Sequence, residues 1–135
     1  MMLTQLKTLA LLKRDFAFET TLAARSFAPF LRRCQVQGYR VNLIYVWLDS
    51  VELAIARVAM RVASGGHSIP EDVIRRRYNR SRKNFLELYS QLADCWQVFD
   101  NSEDNRLVAF SNDKNHSINI LQNNIWEQII SSGKT

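Results

Sequence analysis

Apolar stretches alternate with helical patterns along most of the chain. Residues 41–48 read Val-Asn-Leu-Ile-Tyr-Val-Trp-Leu, an almost continuous apolar stretch, and shorter apolar stretches follow at 96–99 and 107–110. A strand that is apolar on both sides is typical of a parallel sheet covered by helices on both faces, because neither side then meets water. The pattern therefore predicts an α/β fold, with a parallel sheet flanked by helices.

Helical segments are predicted between and around these strands. Residues 2–13 have helical composition and precede a short predicted strand at 15–20. A second helix is predicted over 25–37, with Gly38 as its stop signal. A closing helix is predicted over 118–130.

Asp49 follows the apolar strand directly, and Glu52 comes three residues later, so the pair predicts a capping box at the start of the next helix. Pro70 is well placed in the first turn of a long helix that runs to about residue 93. The helical spacing of apolar residues in this long helix predicts a buried stripe of Ile74, Tyr78, Phe85, Leu88, Tyr89 and Leu92. A helical wheel places Arg76, Arg80 and Lys83 on the opposite side.

The composition is that of one ordered domain over residues 1–135, with 47% hydrophobic residues, two prolines and four glycines. Cys34 and Cys95 have no zinc-site spacing with the two histidines, so we expect buried thiols and no metal site. The apolar run 9–12 is too short for a membrane span or a signal peptide, and it is bracketed by basic residues. We therefore expect a cytoplasmic protein without membrane contact.

The net charge of +5 is concentrated in one segment, residues 50–83, which has eight basic and three acidic side chains. The basic residues are Arg57, Arg61, Arg75, Arg76, Arg77, Arg80, Arg82 and Lys83. Such a local excess attracts an anion, which can be a nucleotide, a sugar phosphate or nucleic acid.

Polar residues follow each apolar strand, and open α/β sheets bind ligands beyond the carboxyl ends of their strands. These residues are Glu19, Thr20 and Thr21, then Asp49, then Asp100 and Asn101. A carboxylate beside two hydroxyls can hold a sugar or an alcohol, but Glu19 can equally cap a turn or pair with Arg25. Asp100 and Asn101 with Ser102 are also ordinary turn residues.

Several motifs resemble the zeta-toxin family of P-loop kinases over about residues 13–102. The first are Phe-Ala-Phe-Glu-Thr-Thr-Leu at 16–22, Arg25-Ser26, Gly38-Tyr39 and Trp47-Leu48. Further along are Ala-Arg-Val at 56–58, Arg61-Val62, Leu88-Tyr89, Trp96 and Asp-Asn-Ser at 100–102. The most specific is Gly-Gly-His-Ser-Ile-Pro at 65–70, followed by Val-Ile-Arg-Arg-Arg-Tyr at 73–78.

The resemblance implies a partial P-loop-kinase-like domain, corresponding to the C-terminal two-thirds of a zeta-toxin domain, with a helical lid at about residues 57–83. It implies phosphorylation of a small molecule such as UDP-N-acetylglucosamine, with ATP and Mg²⁺ as cofactors. Arg61, Arg75 and Arg76 would be the catalytic lid residues, since arginine clasps phosphate oxygens in a bidentate way. Glu19, Thr20, Thr21 and Arg25 would lie toward the acceptor, and Arg57, Asp100 and Asn101 toward the nucleotide.

The phosphate-binding pattern G-x-x-x-x-G-K-[S/T] is missing, and Gly133-Lys134-Thr135 matches only its end. The chain is therefore expected to be inactive alone, whether as a fragment, as a remnant, or with a partner polypeptide that supplies the loop. A missing central strand would also leave an exposed sheet edge, so self-association is expected.

The alternative is a basic nucleic-acid-binding or interaction module without catalysis. It is disfavoured because the basic helices offer no evident recognition helix and no aromatic platform. If the lid interpretation is right, Arg61→Ala and Arg76→Ala weaken anion binding more than Arg82→Ala.

Overall fold

The computed structural model describes residues 22–112 and 117–131. Their elements follow in the order α1 (Phe27–Val36), β1 (Asn42–Trp47), α2 (Val51–Ala63), α3 (Glu71–Asn84), a π-helical segment (Phe85–Tyr89), α4 (Ser90–Leu92), β2 (Cys95–Asp100), β3 (Arg106–Ser111), β4 (Asn119–Ile120) and α5 (Asn123–Ser131). The predicted helix at 2–13 and strand at 15–20 lie outside the described residues. None of the described helices has the length and apolar character that crossing a membrane requires.

The four strands of the described sheet lie in the order β1-β2-β3-β4. β1 and β2 are parallel, whereas β2 pairs antiparallel with β3 and β3 antiparallel with β4. The α/β class is confirmed, but the described sheet is mixed, so the prediction of a parallel sheet holds only for β1 and β2. The physical reason is the short connection after β2, residues 101–105, which cannot hold the crossover helix that a parallel neighbour needs.

The predicted closing helix over 118–130 is only partly correct, because its first residues form β4. Asn119 and Ile120 pair with Phe110 and Ala109 of β3, and the helix begins at Asn123. An apolar run of this length does not distinguish a strand from a helix.

The long helix predicted after Pro70 is confirmed, since α3, the π-helical segment and α4 follow one another without a break from Glu71 to Leu92. Its predicted stripe faces inward, with Ile74, Phe85, Tyr89 and Leu92 all buried. Arg76, Arg80 and Lys83 are exposed, as the helical wheel indicated.

Aromatic rings join this helix to one face of the sheet. Phe85 stacks on Tyr45 of β1 with 4.8 Å between ring centroids and meets Trp96 of β2 edge-on at 5.3 Å. Trp96 in turn stacks on Trp126 of α5 at 5.8 Å. The core therefore lies where the sheet meets the π-helical segment, α4 and α5, and large rings supply much of the buried apolar area there.

The other face of β1 is open, which contradicts the expectation that both faces are covered. Ile44 is 61% exposed and Val46 51% exposed, whereas Tyr45 and Trp47 between them are buried. The apolar run 41–48 therefore reflects one buried face and one exposed apolar face among the described residues.

Helix ends in the basic segment are set by local hydrogen bonds. Ser50, not Asp49, is the N-cap of α2, because its backbone is extended and its hydroxyl accepts a bond from the Leu53 N–H at 3.1 Å. At the other end, the N–H groups of Gly65 and Gly66 donate to the carbonyls of Val62 and Arg61 at 3.0 and 2.7 Å. This is a Schellman motif.

The two glycines are required by this geometry. Gly65 has φ +98°, and a Cβ on Gly66 would lie 2.8 Å from the Arg61 carbonyl oxygen. The motif ends α2 and leads into α3, so residues 51–84 form a helical hairpin that includes the predicted lid at about 57–83.

Candidate functional site

The candidate site lies where β1 and β2 end together. Because the two strands are parallel, their carboxyl ends lie side by side, and the Asn101 N–H donates to the Trp47 carbonyl at 2.9 Å. Asp49 follows β1 after Leu48, and Asp100, the last residue of β2, begins the turn Asp100-Asn101-Ser102. The structure thus brings together two of the three polar groups that the sequence placed after strands.

Ser102 connects the two strand ends. Its hydroxyl accepts a hydrogen bond from the Asp49 N–H at 2.9 Å and donates to Asp100 Oδ1 at 2.5 Å. The Ser102 N–H donates to the same Asp100 oxygen at 3.0 Å. Asp100 therefore has a structural role in the turn, which is one of the two readings that the sequence left open.

Arg57 joins helix α2 to this turn, with its Nη2 donating to the Ser102 carbonyl at 3.1 Å. The side chain is half-buried. It is the predicted site arginine that the structure places against the strand ends. Its guanidinium can retain that bond and still offer further N–H donors to an anion, since it has five.

Tyr78 is the site residue that sequence reasoning missed, because it was assigned only to the buried stripe of the long helix. Its hydroxyl donates to the Leu48 carbonyl at 2.5 Å and so ties α3 to the end of β1. The pKa of Tyr78 is raised to about 12, chiefly by burial; Arg82 opposes this shift, and the carboxylates of Asp49, Glu52 and Asp100 contribute to it. A tyrosine in a buried stripe needs a partner for its hydroxyl, and that requirement was the available signal.

Arg75 connects the two helices of the hairpin through exposed ion pairs. Its Nη2 lies 3.0 Å from Glu71 and its Nη1 3.8 Å from Glu52. Exposed pairs of this kind contribute about 0–1 kcal/mol, so a phosphate group can displace the carboxylates at little cost.

Arg61 and Arg76 are exposed, in the last turn of α2 and on the outer side of α3. Within the described part of the chain, no hydrogen bond or ion pair joins either side chain to the turn of Asp100 and Ser102. The grouping of Arg61, Arg75 and Arg76 as one catalytic set stays a prediction.

Arg82 differs from the other arginines of the hairpin. It is 4% exposed, and its Nη1 donates to the Ile129 carbonyl near the end of α5 at 3.2 Å. A buried arginine that anchors a helix contributes to stability, so Arg82→Ala is unsuitable as the neutral comparison that the sequence suggested.

Of the four predicted acceptor residues, Arg25 alone lies in the described part of the chain. Arg25 is exposed, and its Nη1 lies 3.5 Å from Asn84 Oδ1. Asn84 also donates to the Leu22 carbonyl at 2.8 Å, which fixes the chain next to the predicted Glu19-Thr20-Thr21 group. Glu19, Thr20 and Thr21 themselves lie outside the described residues, so their role stays a prediction.

A parallel strand pair whose carboxyl ends present carboxylates, a hydroxyl and an arginine is typical of ligand-binding α/β proteins. The family model described as zeta toxin matches residues 2–114. The chain belongs to the zeta toxin family.

An uncharacterized protein of Haemophilus influenzae is 38% identical over 63 residues, which are 47% of this chain and 45% of that protein. The match therefore spans less than half of that relative's length. No solved structure matches the chain.

Proposed function

We propose that the protein binds a nucleotide or a nucleotide sugar at the carboxyl ends of β1 and β2. In this proposal it serves an ATP-dependent kinase reaction of the zeta-toxin kind, with a UDP-N-acetylglucosamine-like acceptor. The observation that carries the proposal is the network of Arg57, Ser102, Asp100 and Asp49, which sets an arginine and two carboxylates at the joined ends of two parallel strands. Family membership supports the kinase class.

The hairpin of α2 and α3 supplies the positive charge in this proposal. Arg75 exchanges its weak glutamate pairs for phosphate oxygens, and Arg61 and Arg76 join it from their exposed positions. Guanidinium groups suit this task because they stay charged and bind two oxygens at once. Glu19, Thr20, Thr21 and Arg25 take the acceptor, and Arg57, Asp100 and Asn101 border the nucleotide.

The described residues do not fit a metal ion by themselves. Within 22–112 and 117–131, no group of three or more His, Cys, Asp or Glu residues could hold one. The 135 residues also contain no G-x-x-x-x-G-K-[S/T] run, so we assign them binding and positioning, with the phosphate loop supplied from elsewhere.

Calorimetric titration with magnesium–ATP and, separately, with UDP-N-acetylglucosamine tests the proposal. We expect saturable binding of at least one of them, weakened by Arg57→Ala, Arg61→Ala and Arg76→Ala. Arg33→Ala is the matched control, because Arg33 is an exposed arginine in the last turn of α1 at the opposite end of the sheet. The proposal fails if a folded protein binds neither ligand, or if Arg33→Ala weakens binding as much as the others.

A second candidate function is supported by the exposed basic residues Arg76, Arg77, Arg80 and Lys83 of α3. A basic helix surface of this kind can contact nucleic-acid phosphates without chemistry. In that case the affinity for unrelated DNA or RNA sequences falls steeply as the salt concentration rises, and titration with nucleotides shows no binding.

A further inference from the structure

The two aspartates at the carboxyl ends of β1 and β2 differ in how their side chains are used. The N–H and the hydroxyl of Ser102 both donate to Asp100 Oδ1. Asp49 is exposed, and its backbone is fixed because its N–H donates to the Ser102 hydroxyl at 2.9 Å. In the part of the chain that the structure describes, no hydrogen bond or ion pair involves the Asp49 carboxylate. Asp49 therefore keeps both carboxylate oxygens for a ligand.

The chemistry of a carboxylate decides which part of a nucleotide Asp49 can contact. An ionised carboxylate only accepts hydrogen bonds, so its partner has to carry donors. A phosphate group brings negative charge of its own and is repelled at this distance. A ribose presents two adjacent hydroxyls, and a carboxylate that follows a strand accepts hydrogen bonds from ribose in dinucleotide-binding α/β proteins.

The charges around Asp49 separate a sugar end from a phosphate end. Burial is the main cause of the raised pKa of Tyr78, and three carboxylates contribute to it, those of Asp49, Glu52 and Asp100. Negative charge is thus concentrated at the strand ends. Positive charge begins with Arg57, in the second turn of α2, and continues along the hairpin. The sugar of a nucleotide fits the first region, and its phosphates fit the second.

We propose that Asp49 accepts hydrogen bonds from the 2′ and 3′ hydroxyls of the ribose of a bound nucleotide. The sugar then lies at the carboxyl ends of β1 and β2, and the phosphates extend toward the arginines of the hairpin. This inference rests on the proposed function, in which the ligand is a nucleotide or a nucleotide sugar. It makes Asp49 the residue that distinguishes ribonucleotides from analogues without these hydroxyls.

Calorimetric titration with a nucleotide and with its 2′,3′-dideoxy analogue tests the role of the hydroxyls. Magnesium–ATP and magnesium–UDP are each compared with their analogue, so that either base gives a result. We expect the unmodified chain to bind the ribonucleotide about tenfold more tightly, because hydrogen bonds to a charged group are worth at least that factor. Asp49→Ala should lose this factor for the ribonucleotide and bind the analogue as before.

Asp104→Ala is the matched control, because Asp104 is an exposed aspartate in the connection 101–105 and lies two residues beyond Ser102. It should leave the ratio of the two affinities unchanged. Asp49→Asn keeps one acceptor oxygen and should give an intermediate ratio. Both Asp49 variants retain the backbone N–H that bonds Ser102, and circular dichroism checks that they fold.

The outcomes separate this inference from the proposed function. Equal affinity of the unmodified chain for a nucleotide and its dideoxy analogue overturns the inference alone, and so does an equal loss for both ligands in Asp49→Ala. Binding of UDP-N-acetylglucosamine without binding of UDP or ATP overturns it as well, since the hexose would then supply the recognition. A folded chain that binds none of these ligands contradicts the proposed function, and the role of Asp49 fails with it.

Discussion

The inner and outer sides of helix α3 carry the same residue type in opposite situations. Arg82 on the inner side is 4% exposed and donates to the Ile129 carbonyl, whereas Arg76 and Arg80 on the outer side are exposed. The positive charge of Arg82 lies at the carboxyl-terminal end of α5, where the helix dipole is negative. Position around the helix thus separates an arginine that holds the fold from arginines available to a ligand.

The largest expected effect is on the inner side of the same long helix, in the π-helical segment that follows α3. Phe85→Ala removes a completely buried ring that contacts Tyr45 and Trp96, and should lower the free energy of unfolding by about 3–5 kcal/mol. Lys83→Ala, two residues earlier and exposed, should change it by less than about 0.5 kcal/mol. Urea unfolding measures the free energy of unfolding of both variants. Similar losses for the two would contradict the distinction between the inner and the outer side of the helix.

Arg82→Ala is expected to come next, with a loss of about 2 kcal/mol, because the Ile129 carbonyl loses its donor and the buried side-chain stem is removed. Arg80→Ala is the control on the outer side and should be nearly neutral. Urea unfolding of the two variants measures the difference in their free energies of unfolding. If Arg82→Ala is as mild as Arg80→Ala, the buried arginine does not anchor α5.

Tyr78→Phe should cost about 1 kcal/mol, since it deletes the bond to the Leu48 carbonyl and leaves the ring in place. The raised pKa also predicts a pH dependence. The folded protein keeps the Tyr78 proton up to about pH 12, whereas the unfolded chain releases it near the ordinary pKa of 10. The resulting stability is complete below pH 10 and is lost as pH rises from 10 toward 12.

Unfolding at several pH values above 9 measures this dependence. The Tyr78→Phe variant should lose less stability over that range than the unmodified protein, although Tyr45, whose pKa burial also raises, continues to contribute. Identical losses in the two proteins would show that Tyr78 ionises as freely in the folded state as in the unfolded one.

Arg76→Ala should have the smallest effect on stability, within about 0.5 kcal/mol, because the side chain is exposed. Its expected effect is on binding: about fivefold weaker association with magnesium–ATP in calorimetry, or about 1 kcal/mol. Arg33→Ala should leave that affinity unchanged. A loss of stability without a loss of affinity would place Arg76 among the structural arginines.

The secondary structure was largely predictable because its signals are local. Apolar runs located β1, β2 and β3, and Pro70 with the apolar stripe located the long helix. The mixed sheet was not predictable from the strands themselves, since direction depends on the length of the connection after β2. The open face of β1 was not predictable either, because an apolar run looks the same with one face covered or two.

The candidate site was predictable as a location but not as a set of contacts. The rule that ligands bind at strand ends identified Asp49 and Asp100, and the family resemblance singled out Arg57 among the basic residues of 50–83. The hydrogen bond from the Ser102 hydroxyl to Asp100 Oδ1 depends on the detailed geometry of the turn. The bond from Tyr78 to the Leu48 carbonyl joins residues 30 positions apart in the sequence. Burial of Arg82 depends on where α5 ends, which no local pattern shows.

The π-helical segment Phe85–Tyr89 has a consequence for insertions and deletions. A π-helical turn holds about one residue more than an α-helical turn, and here it begins and ends at two fully buried rings, Phe85 and Tyr89. Removing one residue from this segment while restoring regular α-helical winding would leave the residues downstream nearly in phase, because the shorter α-helical turn covers about the same rotation. Leu92 would keep its place in the core, so the long helix should accept a one-residue deletion here more readily than in its regular α-helical part.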